Sequence, residues 1–237
     1  MDRPSDSQKP SRGQQSTKTT SSPKSTYLLL YNLVSSLLWF GILLTTATNL
    51  CTLGPASSLY PTIGTYTKYV QTLAALEILH SLLGLVRAPL LTTIMQVASR
   101  FLLVWGVVHL FPHLATDTTH GGAQAYRSML LAWSFTEVVR YGYFVFSLSG
   151  VAVPGVLKWL RYNGFWVLYP LGIGSECWLV GLAARGPGRF VQVGGVRASW
   201  VLWGVLGVYV PGSYVLFTHM MKQRARVMRG DGGKKTK

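Results

Sequence analysis

Apolar runs about one bilayer deep alternate with short polar joints along most of this chain. A bilayer core of about 30 Å takes roughly 20 apolar residues per helix. Six windows meet that length, approximately 27–48, 69–86, 92–111, 128–148, 164–184 and 199–220. The pattern predicts an all-α, multi-pass membrane protein, a bundle of six transmembrane helices with no internal repeat between them. The joints "NLCTLGPASSLYPTIG", "RAP", "PHLATDTTHGGAQ", "SGVAVPG" and "RGPGRFVQVGG" carry turn chemistry. The second is the tightest, which predicts an antiparallel hairpin of helices two and three.

Composition agrees with this pattern. The chain is 49% hydrophobic and 12% charged, whereas soluble domains carry about 25% charged residues. Its net charge of +15 sits mostly at the two ends. Residues 1–26 form a Ser-, Thr-, Lys- and Pro-rich tail without the apolar core of a signal peptide, and are expected to be disordered. Residues 27–221 make the six-helix domain, and 222–237, "KQRARVMRGDGGKKTK", a basic C-terminal tail. Basic flanks on such a chain read as topology signals and lipid-headgroup contacts. No nucleic-acid motif accompanies the charge, so a nucleic-acid partner is not expected.

An even number of spans puts both termini on one side. Positive-inside counting makes that side cytosolic, because the two tails, Arg87, Lys158 and Arg161 fall together there. Arg185, Arg189 and Arg197 count the other way and are outnumbered by the tails. The ending Lys234, Lys235, Thr236, Lys237 matches the dilysine pattern that retrieves membrane proteins to the endoplasmic reticulum from the cytosolic face.

The acidic residues show where chemistry is to be sought. Asp2, Asp6, Asp117 and Asp231 lie in tails or a joint, while Glu77, Glu137 and Glu176 all lie inside apolar segments. A charge at the centre of a spanning helix costs at least about 2.5 kcal/mol, so such groups face a bundle interior or a wet cavity. In "LEILHSLLGLVR", Glu77, His80, Ser81 and Gly84 share a stripe; Gln96 and Arg100 lie one turn apart in "IMQVASR"; Glu137, Arg140 and Tyr141 cluster in "WSFTEVVRYGYF". Two carboxylates and two guanidiniums on adjacent helices suit a structural role, paired and holding the bundle together. His80 reads as a hydrogen-bonded interior histidine.

Glu176 differs, because no Arg or Lys lies within a helical turn of it. A carboxyl group in apolar surroundings without a cation is suited to carry a proton. Tyr169 precedes it by seven residues, nearly on the same helical face and about 10 Å along the axis. Two such groups can flank a substrate, and Pro170, Gly172 and Gly174 leave room for a ligand chain. The alternatives for these residues are an interfacial tyrosine anchor and glycines that permit close helix packing. Cys51 and Cys177 show neither disulfide nor metal spacing. Cys177 is followed by "WLVGLAAR", not by a phosphate-cradling loop closed by Arg at the sixth position, so cysteine-phosphatase chemistry is not expected.

The blocks "YLLLYNLVSSLLWF", "LEILHSLLGLVRAPLLTTIMQVASRF", "WSFTEVVRYGYF" and "LKWLRYNGFWVLYPLGIGSE" together resemble the very-long-chain (3R)-3-hydroxyacyl-CoA dehydratases, also called protein-tyrosine-phosphatase-like proteins. The resemblance covers nearly the whole membrane region and leaves out the N-terminal tail and the last joint. It implies a six-span protein of the endoplasmic reticulum with both ends cytosolic. The family's catalytic Tyr, in a Tyr-Pro-x-Gly block, and the Glu seven residues on fall on Tyr169 and Glu176. Glu77, Gln96, Arg100, Glu137, Arg140, Arg161 and Gly172 are matched supporting positions.

The activity so implied is loss of water from a long-chain 3-hydroxyacyl-CoA to give the trans-2-enoyl-CoA in fatty-acid elongation. Such an elimination needs a base and an acid and no cofactor or metal. Expected partners are the substrate, membrane lipid and the other elongation enzymes. Two other classes stay open on the residues alone, a non-catalytic scaffold for lipid-synthesis enzymes and a small-solute or proton transporter.

Overall fold

The structure, a computed structural model, describes residues 22–86 and 88–232. The basic residues Arg3, Lys9, Arg12 and Lys18, the ending Lys234 to Lys237, and Arg87 lie outside the described residues. The elements are α1 (Pro23–Cys51), α2 (Leu59–Leu73), α3 (Ala75–Leu82), α4 (Leu90–Phe101), α5 (Gly122–Ser149), α6 (Gly155–Asn163), α7 (Phe165–Arg185), a two-stranded hairpin of β1 (Gln192–Val193) and β2 (Val196–Arg197), and α8 (Ala198–Gly232). Among the described residues the fold is thus helical apart from that hairpin. Helix α5 is central, packed against α1 on one side and α7 on another, and α8 covers α7.

Four helical stretches are long and apolar enough to cross a membrane: Pro23–Cys51, Leu90–Val108, Phe165–Arg185 and Ala198–Arg229. The other two windows take different forms. The window 69–86 breaks at Ala74 into α2 and α3, and α2 begins ten residues before the window does. Pro61 does not prevent that early start, because it lies in the first turn, where backbone N–H groups have no intrahelical partner. The window 128–148 falls within α5, which at 28 residues is about 42 Å long but carries Arg127, Glu137 and Arg140.

Three further features differ from the sequence expectation. The joint "SGVAVPG" leads into α6, a nine-residue helix with no buried residue. The last joint turns back as the β1–β2 hairpin, with Gly194 and Gly195 both at positive φ, +57° and +82°. A two-residue turn with two positive φ values is the connection that matches strand twist. Finally, α8 runs on through Lys222 to Gly232 instead of ending at the membrane window, since "KQRARVM" is made largely of strong helix formers.

The distribution of polarity is inverted relative to a soluble protein. Leu30, Leu33, Leu37, Phe40 and Leu44 of α1 are exposed, as are Trp200, Val208, Val210 and Val215 of α8. Asn32, Thr46, Gln71, His80, Ser134, Glu137 and Glu176 are buried. An apolar exterior with the polar groups turned inward is the arrangement a lipid solvent favours. Around the midline of α5, Trp39 and Ile42 of α1, Met129 and Leu130 of α5, and Leu179 and Val180 of α7 form the apolar core.

Contacts at the two ends fix how the helices run. At one end Lys24 Nζ donates to the Gly84 carbonyl at 3.2 Å, and the Tyr27 hydroxyl meets His80 Nε2 at 2.8 Å. Arg224 Nε, on the basic part of α8, donates to Asn163 Oδ1 at 2.8 Å. At the opposite end Arg127 Nη1 donates to the Gly54 carbonyl at 3.2 Å and Trp178 Nε1 to the His120 carbonyl at 2.9 Å.

Candidate active site

Two polar clusters are buried against α5, and one residue joins them. The first is built on Glu137, 2% exposed. Arg140, one turn along α5, donates from Nε to Glu137 Oε2 at 2.7 Å and forks onto Glu77 of α3 at 3.0 and 2.6 Å. Arg100 of α4 donates to the other Glu137 oxygen, and the Tyr141 hydroxyl to Glu77. Two carboxylates and two guanidiniums therefore neutralise one another across α3, α4 and α5. Taking charges out of water is tolerated only with such pairing and hydrogen bonding.

The second cluster surrounds Glu176 at the middle of α7. This carboxylate is 7% exposed and each oxygen has one donor, Trp133 Nε1 at 2.8 Å to Oε1 and the Tyr209 hydroxyl at 3.0 Å to Oε2. Among the described residues it makes no salt bridge. Two neutral donors thus orient the carboxylate without a cation bound to it, and a lone pair stays on each oxygen for a ligand. The Arg100 guanidinium lies over the face of the Trp133 ring, at 5.1 Å from its centroid. Trp133 is the bridge between the clusters, touched by Arg100 on its face and bound to Glu176 through its N–H.

Tyr169, two turns before Glu176, donates its hydroxyl to the Ser213 carbonyl of α8 at 2.8 Å. Among the described residues it makes no hydrogen bond to the Glu176 carboxylate. Helix α8 therefore closes the site with both Tyr209 and Ser213. Gly172 lies between the pair on α7; a methyl group there would be 3.7 Å from Ala132 Cβ and 4.0 Å from Glu176 Oε1. Helices α5 and α7 thus approach closely beside the carboxylate. An open groove of about 370 Å³ lies on a different face of α7, bordered by Ser128, Pro170, Leu171, Gly174, Ser175 and Trp178 and by neither Tyr169 nor Glu176. No atom of another residue comes within 4 Å of a side-chain position at Gly174.

The other sequence candidates are placed differently. Gln96 is exposed and does not accompany Arg100 into the cluster; its backbone carbonyl accepts from Ser99 Oγ. Arg161, on α6, stacks its guanidinium over Tyr143 and Phe144 of α5 at 4.4 and 4.7 Å, away from both carboxylate clusters. His80 is buried and bound to Tyr27, as an interior histidine would be. Among the described residues no three His, Cys, Asp or Glu side chains gather in metal-binding proximity. Trp133, Tyr209 and the Ser213 carbonyl are the components that sequence reasoning missed. Trp133 lies one turn before Glu137, on the polar stripe of α5, which is the signal that pointed to it.

The comparisons with known proteins agree with one another. Residues 71–230 match the family model described as protein tyrosine phosphatase-like protein, PTPLA. The chain is 40% identical over 211 residues, 89% of this chain and 96% of the relative, to the probable very-long-chain (3R)-3-hydroxyacyl-CoA dehydratase of Schizosaccharomyces pombe. It is 35% identical to the very-long-chain (3R)-3-hydroxyacyl-CoA dehydratase PASTICCINO 2 of Arabidopsis thaliana, covering 85% of this chain and 92% of that one. It is 32% identical to the very-long-chain (3R)-3-hydroxyacyl-CoA dehydratase 2 of Homo sapiens, covering 85% and 80%. No solved structure matches.

Proposed function

The chain belongs to the protein tyrosine phosphatase-like PTPLA family, and on that premise we propose how its geometry dehydrates a very-long-chain (3R)-3-hydroxyacyl-CoA. The chain is a 3-hydroxyacyl-CoA dehydratase, a hydro-lyase. Glu176 takes the proton from C2 of the substrate, Tyr169 donates a proton to the hydroxyl leaving C3, and the C2–C3 double bond forms as water departs. The observation that carries this assignment is the setting of Glu176: a buried carboxylate oriented by Trp133 and Tyr209, without a salt bridge among the described residues. General acid–base groups so placed contribute about 10²- to 10⁴-fold each.

The salt-bridged residues Glu77, Arg100, Glu137 and Arg140 hold α3, α4 and α5 in register and, through the Trp133 ring, position its N–H for Glu176. The CoA moiety is assigned to the end that carries α6, where Arg161 is held on its aromatic shelf and Lys158 lies close by. The phosphatase in the family's description finds no counterpart in these residues, since Cys177 lies within α7 and no phosphate loop follows it.

The chain is read as crossing the membrane six times: as α1, α2 with α3, α4 and its continuation, α5, α7 and α8. Support comes from the end contacts, which gather Lys24, the α3–α4 turn, Asn163 and Arg224 at one end, and Gly54, His120 and Trp178 at the other. The first end is the more basic and is assigned to the cytosol, with the protein in the endoplasmic reticulum. Its exposed apolar faces contact lipid. The enzymes that supply its hydroxyacyl substrate and reduce its enoyl product are inferred partners.

Purified protein should convert a long-chain 3-hydroxyacyl-CoA to the enoyl-CoA, and Tyr169→Phe should lose that activity while remaining folded. A well-folded but inactive wild type would leave the scaffold reading instead.

A further inference from the structure

A second cavity lies at the far end of the bundle from α6 and is lined by neither Tyr169 nor Glu176. Its volume is about 330 Å³, and its walls include Tyr60, Lys68, Val104, His109, Tyr126 and Met129. One wall is formed where α4 does not continue as a regular α-helix. Over Leu102–Val108 the chain winds as a π-helix, with the His109 N–H bonded back to the Val104 carbonyl at 3.1 Å, and both Val104 and Val108 face the cavity. Such wide turns are rare and occur mostly at functional sites.

Two buried polar side chains of α2, Thr67 in its wall and Gln71 one turn further on, lack hydrogen-bond partners among the described residues. Gln71 is fully buried, and neither its amide oxygen nor its amide nitrogen has a hydrogen-bond partner among the described residues. One turn earlier on the same face of α2, Thr67 lines the cavity at 1% exposure, and its hydroxyl makes no hydrogen bond of ordinary geometry, although that of Tyr126 lies beside it. Native interiors satisfy nearly all such groups, with ordered water where protein does not. A polar cavity with room for on the order of ten waters meets the conditions for hydration.

Its position relates it to the active site. Helices α2 and α5 run side by side in one direction: Tyr60 packs on Tyr126, and further along Glu77 is bound by Arg140. Gln71 lies between these levels, on the way from the cavity to the charged cluster. On α5, Met129 lines the cavity and Trp133, one turn on, binds Glu176.

We propose that this cavity, with Thr67 and Gln71, is a binding chamber for ordered water that receives the water molecule eliminated at the active site. Elimination deep in an apolar bundle releases water where lipid offers no exit, and the leaving oxygen departs with the Tyr169 proton as H₂O. The receiving role rests on the dehydratase reading; the hydration does not.

Radiolytic hydroxyl-radical labelling of the detergent-purified full chain tests the hydration directly, because radicals form wherever water is bound. Tyr126 and Met129, 2% and 0% exposed, should be modified at rates near that of Met228 on the basic end of α8. They should not show the protection of Trp39, a core residue equally buried. Protection of both equal to that of Trp39 overturns the chamber, whatever the enzyme's activity. Gln71→Met and Thr67→Val remove the polar groups at nearly constant volume, and should lose most of that labelling while the Trp39 rate stays the same.

The receiving role is read with ¹⁸O-labelled water. The ratio of oxygen exchange to net dehydration measures how often the released water escapes before it returns to the enoyl group. That ratio should fall in Gln71→Met. An unchanged ratio in a variant that has lost its labelling overturns the receiving role. A wild type without turnover defeats the dehydratase reading, while the labelling still decides the chamber.

Discussion

Glu137 and Glu176 are both buried carboxylates, and one substitution applied to each separates structure from chemistry. In Glu137→Gln the side chain keeps its size but loses its charge, leaving Arg100 and Arg140 to share Glu77. The amide oxygen can accept from only one guanidinium side, and the amide NH₂ then faces the other, donor against donor. Breaking a buried pair by removing one partner costs about 3–5 kcal/mol. Arg100 and Arg140 retain 23% and 29% side-chain exposure, so water relieves part of this and the lower end, about 3 kcal/mol, applies. For a chain of this size that corresponds to a fall in Tm of about 6–12 °C. In Glu176→Gln the outcome is the reverse. The amide oxygen still accepts from Trp133, which can only donate, and the amide NH₂ donates to the Tyr209 hydroxyl, which can also accept. Both hydrogen bonds survive, Tm should move by no more than about 2 °C, and kcat should fall by about 10²- to 10⁴-fold. Thermal unfolding in detergent and enoyl-CoA formation are measured on both variants. Removing Arg100 as well, in Glu137→Gln/Arg100→Gln, restores neutrality and should recover part of the lost Tm. Equal Tm losses in the two single variants, or turnover by Glu176→Gln near that of wild type, would refute the division of roles.

Three further outcomes are expected. Trp133→Phe keeps an aromatic face for Arg100 and deletes the donor to Glu176; a hydrogen bond to a charged group is worth about 1.5–3 kcal/mol, so kcat should drop about tenfold or more in the turnover assay. Gly122→Ala should destabilise by about 3 kcal/mol or more, seen as a lower Tm, because the new Cβ would sit 2.0 Å from the Leu114 carbonyl oxygen at the start of α5. Asp117, in the joint before α5, has its carboxyl pushed up by partial burial but, on balance, held below the usual carboxylate range by the ring of His120 and the backbone N–H groups of His120 and Thr119. The stability this contributes is complete above about pH 4, the ordinary Asp value, and is lost as pH falls through the lower folded value. Asp117→Asn should therefore show a smaller loss of Tm below pH 4 than the wild type; an identical acid profile would count against the contribution.

How far the sequence could be read depended on the range of the interaction involved. The apolar windows located α1, α7 and the membrane part of α8, because in lipid a helix satisfies its own backbone and length alone identifies it. Glu77, Glu137, Arg100 and Arg140 could be assigned to one neutral cluster because a charge in an apolar segment must find its opposite. Gln96 failed by the same reasoning, since a neutral amide is under no such compulsion and the periodicity of α4 alone does not say which face turns inward. The break at Ala74 and the π-helix after Phe101 were illegible, because both are responses to packing across helices and leave no turn residue behind.

Glu176 is the informative case. The absence of a cation within a helical turn on its own helix was visible in the sequence, but Arg100 of α4 does approach, and it lies against the ring of Trp133 instead of forming a salt bridge with Glu176. The guanidinium lies against that ring and is bound to Glu137, while the N–H of the same ring is bound to Glu176. One side chain thereby stands between the salt-bridged carboxylate and the one proposed to act as base. Its replacement by Phe or by Leu should then have different consequences. Phe preserves the separation and costs only the hydrogen bond; Leu opens a path for Arg100 to reach Glu176 and, by pairing with it, to hold it as a bound carboxylate. Trp133→Leu should therefore lose more turnover than Trp133→Phe, and adding Arg100→Gln to Trp133→Leu should restore part of it. If that addition only lowers activity further, Trp133 acts through its hydrogen bond alone.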